Sequence, residues 1–336
     1  MTHRIYILYT GGTIGMQHTP QGYAPMPGLA ELIAQKIPTH LSASMPEYVL
    51  EELDLLIDSA NANPGDWRCI AQRIRDNYDL YDGFIILHGT DTLAYTTSAL
   101  SFMLRDLSKP VIVTGSQIPL SELRNDAQDN LITALVLARQ YPIAEVCLYF
   151  NGRLLRGNRS TKVKATGFDA FDSPNYPWLG QVGINIEIKH DAIRPATGQP
   201  YFELPEYGHQ RIVPIRLFPG IDSEYLEHLL KLPVDGLIIQ SYGVGNAPDR
   251  DPLFLRALEQ ATEQGKVIVN LTQCLQGRVD LSSYATGSAL AKTGIVSGFD
   301  MTLEAAFTKL QHLLALERGS DWVRQQMQLN LCGELS

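Results

Sequence analysis

Two short stretches of this chain set hydroxyls beside glycines after an apolar run. In "YTGGTIG" (residues 9–15), Thr10 and Thr13 flank Gly11 and Gly12; in "ILHGTDTLAYT" (86–96), Gly89 precedes Thr90 and Asp91. Glycine lets backbone N–H groups come close to an anion, so a phosphate cradle is one reading of the first stretch. A phosphate loop needs Lys-Ser or Lys-Thr after its last glycine, but Met16 and Gln17 follow Gly15, and the spacing G-x-G-x-x-G is absent here. The competing chemistry is acyl transfer, in which a hydroxyl attacks a carbonyl and nearby N–H groups hold the oxyanion. Each stretch also has a structural reading: a tight strand-to-loop turn with solvated threonines for the first, helix capping by Thr90 and Asp91 for the second.

Three further segments carry groups that suit such chemistry. "GNRSTKVKATGF" (157–168) holds Lys162; partly desolvated beside Thr90 and Asp91, a lysine relays a proton or favours an alkoxide, whereas Lys164 is expected to be solvated. "LIDSANANPGDW" (56–67) sets Asp58 and Ser59 at the end of a strand, as ligand-binding groups or as turn residues. Tyr23, in "QGYAP" (21–25), lies in a segment flanked by Gly and Pro that can move as a flap. There is no His-based triad and no Cys in a glycine-rich turn. The eight histidines form no H-x-x-x-H pattern, so no metal site is expected.

The elements that must position these residues alternate strand and helix. Short apolar runs predict strands over 5–9, 48–57, 83–87, 110–114 and 144–150. Helical patterns fall over 64–78, with Asn63 as cap and Pro64 at the first position, and over 92–104 and 126–138. Such alternation means a parallel sheet with helices on both faces, whose ligands sit at the carboxyl ends of the strands. After a Pro- and Gly-rich passage the pattern resumes with strands over 212–217, 236–240 and 267–271 and helices over 223–230, 252–263 and 303–316. The expected α/β fold is a larger N-terminal, doubly wound, mostly parallel sheet domain (1–190) that carries the catalysis, a linker (191–211) and a smaller C-terminal α/β domain (212–336).

The 336 residues suffice for two cores, and 45% apolar and 19% charged residues are ordinary for a globular protein. A net charge of −9 argues against nucleic-acid or membrane-surface partners. The basic cluster Arg153, Arg156, Arg159, Lys162 and Lys164 has no aromatic interleaving and reads as local. With no signal peptide, no window long enough for a membrane span, and Cys69, Cys147, Cys274 and Cys332 scattered without C-x-x-C spacing, a cytoplasmic location is expected.

The chain resembles the cytoplasmic type I bacterial asparaginases, within the asparaginase and glutaminase family. The resemblance rests on "YTGGTIGM", "GY" at 22–23, "DS" at 58–59, "LHGTDT", "VTGSQIP", "NRSTK", "SYGVGNAP", "NLTQC" and "YATG", which occur in this order across nearly the whole chain. The pairing of T-G-G-T-I with H-G-T-D-T is far more specific than either motif alone.

This resemblance implies hydrolysis of L-asparagine to L-aspartate and ammonia with no cofactor. It implies Thr13 as the nucleophile, forming an acyl-enzyme, with Tyr23 near it on the flap and Thr90, Asp91 and Lys162 as a second catalytic group. Asp58, Ser59 and Asp91 would hold the substrate's amino and carboxylate ends, and Gly12 and backbone groups near Gly89 and Ser116 would line the site. Family members are homotetramers built as pairs of close dimers, and Asn246 matches a position that reaches into the neighbouring subunit's site. Some type I enzymes carry a second, allosteric asparagine site near "LIIQSYGVGN" and "NLTQC", which makes Gln240 and Cys274 candidate effector-site residues. Gln240 stands where switching members carry Arg, and losing a guanidinium removes a bidentate carboxylate contact. Cys274 also reads as a buried apolar filler.

Other functions compete. An amidotransferase subunit with an asparaginase-like module usually has an extra domain before T-G-G-T, whereas here the motif starts at residue 10. Glutaminase activity differs by one methylene, about 1–3 kcal/mol of discrimination. An amino-acid sensor would keep the fold without turnover, and a nucleotide-binding module would respond to ATP or NAD.

Overall fold

The runs rich in Ile, Val and Leu become inner strands because both of their faces are covered. The computed structural model describes residues 4–20, 22–37, 45–196, 198–281 and 285–336. The chain divides into two units, Met1–Leu204 and Pro205–Ser336.

The first unit is built on an eight-stranded sheet. Its order is Ile186–Ile188, Gly180–Val182, Arg153–Arg156, Val146–Phe150, Val111–Thr114, Gly83–Leu87, Arg4–Gly11, Glu47–Ile57. The last five of these run parallel, and the first three form an antiparallel edge. Side chains alternate across the sheet. Ile5, Ile7 and Tyr9 therefore share a core with Leu131, Ala134 and Leu135 of helix Ala127–Gln140. Tyr6 and Phe84 face the other way, where Tyr78, just past helix Pro64–Asn77, stacks on Phe84 at 5.7 Å. Helix Leu93–Met103 is buried on nearly every side.

The expected helix over 64–78 forms as Pro64–Asn77, closed by a capping box in which Asn63 accepts from Gly65 N and Asp66 accepts from Asn63 N. The strand expected over 144–150 forms as Val146–Phe150; just before it, Glu145 accepts from Val111 N at 3.3 Å through its carbonyl and from Arg156 at 2.6 Å through its carboxylate. Described residues between 191 and 204 pack on this unit. Arg194 N donates to Glu145, Tyr201–Phe202 pairs with Leu104–Arg105, and Arg105 meets Glu203 at 2.7 Å. Elements not expected include helix Leu29–Lys36, the antiparallel hairpin Met16–Thr19 with Gly22–Pro25, and the antiparallel sheet edge.

The second unit has four parallel strands in the order Ile212–Arg216, Gly236–Ser241, Val267–Thr272, Val296–Ser297. Leu237, Ile239 and Ile268 pack on Leu226, Phe254 and Leu258, while Ile238, Val267 and Val269 pack on Ala305, Leu310 and Leu313. Alternate residues thus go to helices on opposite faces, and the expected pairing of a large, mostly parallel sheet domain with a smaller α/β domain is found. No helix among the described residues is long and apolar enough to cross a membrane.

Candidate active site

The carboxyl ends of four parallel strands, Arg4–Gly11, Glu47–Ile57, Gly83–Leu87 and Val111–Thr114, lead into the loops that carry the candidate residues. Backbone contact draws these loops together. A Cβ added at Gly12 (φ 85°) would lie 2.3 Å from Gly89 N, and one added at Gly89 would lie 2.3 Å from Ser59 Oγ. Only glycine fits at either position, so the loops after three strands meet at Gly12, Gly89 and Ser59. Thr10 serves the fold rather than the cleft, since it is buried and its Oγ1 donates to Leu87 O at 2.9 Å, tying two strand ends together. Thr13 is left half-buried on the wall of a cleft.

Thr90 and Asp91 do not cap the following helix. That helix starts at Leu93 with Thr92 in the N-cap position and no side-chain cap; the Thr92 hydroxyl donates instead to Ser59 O at 2.8 Å. Lys162 Nζ donates to Thr90 Oγ1 at 3.0 Å and to Asp91 Oδ1 at 2.8 Å. The Lys162 side chain is 20% exposed and that of Asp91 62%, so water screens the pair and its value lies in geometry more than in energy. Lys162 is held by the short ladder of Thr161–Lys162 with Phe171–Asp172, whereas Lys164 turns to Asp169. Buried Ser59 accepts from Asp91 N at 3.3 Å, and exposed Asp58 accepts from Ala60 N at 3.2 Å, capping its own short turn.

The cleft measures about 600 Å³ and is lined by Thr13, Met16, Tyr23, Gln117, Pro119 and Glu122. Tyr23, 48% exposed, sits on the hairpin, and its hydroxyl donates to Glu122 Oε1 at 2.6 Å. That hydrogen bond to a carboxylate raises the phenol above its ordinary value of 10.0, so Tyr23 in this arrangement is a donor and not a phenolate base. Beneath the second loop, His88 is buried, and burial pushes its pKa below the ordinary 6.5. A carbonyl only accepts, so Nδ1 of this neutral ring must donate to Gly89 O (2.8 Å) and Nε2 must accept from Thr96 Oγ1 (3.1 Å). Ser116 is fully buried, and its Oγ has no hydrogen-bond partner among the described residues.

The structure thus joins Thr90, Asp91 and Lys162 directly, links Ser59 to Asp91, sets Gly12 against Gly89, and puts Thr13 and Tyr23 on one cleft. Gln117 is a residue of this cleft that the sequence reading passed over. It lines the cleft with Thr13 and lies 3.3 Å from Thr90 Oγ1. Its only signal was its place in "VTGSQIP".

Asn246, Gln240 and Cys274 belong to the second unit. Asn246 closes a turn through Tyr242, with N–H···O distances of 2.9 and 2.8 Å. Gln240 lies next to the end of strand Gly236–Ser241, and its carbonyl accepts from Leu217 N at 3.0 Å and from Gln273 Nε2 at 2.9 Å. Cys274 is exposed, which overturns the buried-filler reading: it lies beyond the end of Val267–Thr272, outside the sheet core. Tyr284 of "YATG" lies outside the described residues. Among the described residues, no group of three His, Cys, Asp or Glu side chains is placed to hold a metal ion.

Known proteins resemble this chain along its length. Residues 4–194 match the family model "Asparaginase, N-terminal", and residues 211–327 match "Glutaminase/Asparaginase C-terminal domain". L-asparaginase 1 of Escherichia coli (strain K12) is 50% identical over 332 residues, covering 99% of this chain and 98% of that protein. The crystal structure of L-asparaginase I from Vibrio cholerae is similar at 47% identity and a TM-score of 0.91, covering 100% of both chains. The L-asparaginase structure from Thermococcus kodakarensis has 35% identity, a TM-score of 0.89 and 99% coverage of both chains. Matched by the family's models in both halves and by relatives along its whole length, the chain belongs to the asparaginase family.

Proposed function

We propose that this protein is an amidohydrolase that converts L-asparagine to L-aspartate and ammonia, with Thr13 as nucleophile. The observation that carries this reading is Lys162, whose ammonium donates to both the Thr90 hydroxyl and the Asp91 carboxylate, next to Gln117 of the cleft that Thr13 lines. Thr13 Oγ bonds to the side-chain amide carbon, and its hydroxyl proton is relayed to the leaving nitrogen. The C–N bond breaks and ammonia departs. Water then adds to the ester, its proton returning to Thr13 as aspartate leaves. Thr90, Asp91 and Lys162 serve the proton relay, and Tyr23 stands near Thr13 on the flap. Asp58, Ser59 and Asp91 hold the substrate's amino and carboxylate ends. Gly12 and the backbone near Gly89 and Ser116 face the amide, where N–H groups stabilise the oxyanion.

A cytoplasmic homotetramer in which Asn246 completes a neighbouring site belongs to the same reading, as does an effector site at Gln240 and Cys274. Sizing by light scattering tests the first, and a sigmoidal rate curve tests the second. The central test is ammonia release from L-asparagine and L-glutamine by the parent protein and by Thr13→Ala. Turnover of asparagine should fall in the variant by about 10²–10⁴, or more for a nucleophile. Near-normal turnover in Thr13→Ala overturns the assignment of Thr13. Binding of asparagine without ammonia release by the parent protein would make the fold a sensor.

A further inference from the structure

We infer that Gln117 is a positioning residue that fixes the direction of the Thr90 hydroxyl proton, through a chain of hydrogen bonds whose polarity is set at both ends. The inference rests on the proposed amidohydrolase reading and deepens it.

At one end, Gln117 Nε2 lies 3.3 Å from Ala165 O and 3.0 Å from Gly167 O. Carbonyls only accept, so the amide must turn its nitrogen to them and its oxygen to Thr90. At the other end, the ammonium of Lys162 only donates, so Thr90 Oγ1 accepts from it at 3.0 Å. The single Thr90 proton is then left for Gln117 Oε1, 3.3 Å away. The order runs from ammonium to hydroxyl to amide to carbonyls, and no member can be reversed without two like groups facing each other.

The consequence is chemical. A threonine hydroxyl has one proton and two lone pairs. With the proton on Gln117 and one lone pair on Lys162, the remaining lone pair is free to receive a hydrogen bond. Thr90 therefore presents an acceptor, which is the polarity needed to orient a water or hydroxyl whose oxygen is to attack. The backbone that carries this side chain is also tied down. Gln117 N donates to both carboxylate oxygens of Asp126 (3.1 and 2.9 Å), and Ile118 N donates to Asp126 Oδ1 at 2.9 Å. The side chain also ties the loop at 165–167, just beyond Lys162, to the turn at 117, so one residue holds both partners of Thr90 in register.

The test is a double-mutant cycle on the full chain. Gln117→Leu keeps the shape and removes both polar ends; Thr90→Ala removes the group through which Gln117 acts. In the parent background, Gln117→Leu should lower kcat for L-asparagine about 10- to 100-fold, matching one unsatisfied polar contact, with KM changed less than about threefold. In the Thr90→Ala background, measured at high enzyme concentration, the same change should cost less than about threefold. A residue that merely tethers the 165–167 loop would subtract equally from both backgrounds and would move KM. Unchanged kcat in Gln117→Leu, or equal losses in the two backgrounds, overturns the inference. Gln117→Met serves as a second variant if Leu impairs folding, checked by thermal melting. A parent protein that releases no ammonia from asparagine would instead defeat the underlying function.

Discussion

Replacing Gly12 by alanine tests how much of the site depends on the meeting of loop backbones. Gly12 has φ 85° and ψ 178°, a region open almost only to glycine, which costs another residue about 1–3 kcal/mol. The added Cβ would also stand 2.3 Å from Gly89 N and 2.4 Å from Gly89 Cα. These are backbone atoms that cannot rotate away. Ordinary contact begins at 3.4 Å, so the loops must part by roughly 1 Å (3.4 − 2.3), an overpacking worth about 1–3 kcal/mol. The sum is about 2–6 kcal/mol, or roughly 5–20 °C in Tm for a chain of this size. Separating the Thr13 turn from Thr90 by that distance should also cost about 10²-fold in kcat/KM. Gly22→Ala is the control, since Gly22 has φ 113° and an added Cβ there meets nothing within 4 Å: strain without a clash. Thermal melting and steady-state ammonia release on both variants decide the matter. A Gly12→Ala protein with parental Tm and kcat/KM, or one no worse than Gly22→Ala, would refute the reasoning.

Two further predictions concern buried charge. His88 is held neutral by burial, with its pKa below 6.5, while the unfolded chain's histidine takes a proton as pH drops through 6.5; stability is therefore full above that pH and declines below it. The loss of Tm between pH 7.5 and 5 should be smaller in His88→Asn than in the parent, and parallel losses would show that His88 does not contribute. In the second unit, Lys309 Nζ meets Glu334 Oε1 at 2.6 Å with both side chains wholly buried. Burial alone would raise the Glu334 pKa, but the Lys309 ammonium and the N–H groups of Leu331 and Cys332 outweigh it and hold the carboxyl below its ordinary value, although burial pulls the Lys309 ammonium below its own. Lys309→Met strands that carboxylate and should cost about 3–5 kcal/mol in chemical denaturation, with part regained in the double variant Lys309→Met/Glu334→Gln. An unchanged denaturation midpoint would refute it.

The sheets were legible because strands covered on both faces are near-continuous apolar runs, as 83–87 and 267–272 are. Helix Pro64–Asn77 was legible because all of its start signals are local. Helix Leu29–Lys36 was not, since it begins at Gly28 and its first N–H groups are taken by Glu52, more than 20 residues on. The flap hairpin is half-exposed and lacks clean alternation, and the antiparallel edge strands are only three or four residues long. In the site, the residue types could be read, but the approach of Lys162 to Thr90 spans 72 positions and depends on the fold. Gln117 was missed because an amide announces no chemistry until its neighbours fix its direction.

The capping pattern carries the same lesson in reverse. Among the described residues, four helices are capped by the side chain that propensity assigns: Asn63, Asp222, Asp251 and Thr302 each accept from an N–H of the first turn. The two helices that begin at the candidate site start with equally good capping residues, Thr92 and Asp126, and neither caps. Forgoing a side-chain cap typically costs about 1 kcal/mol per helix. What is gained is position: Thr92 holds the carbonyl of Ser59, and Asp126 holds the N–H groups of Gln117 and Ile118. Local rules give way at functional sites, where the fold as a whole compensates. Thr90 lies two residues ahead of the N-cap, clear of that helix's N–H groups, and its hydroxyl is left between Lys162 and Gln117, where it can act.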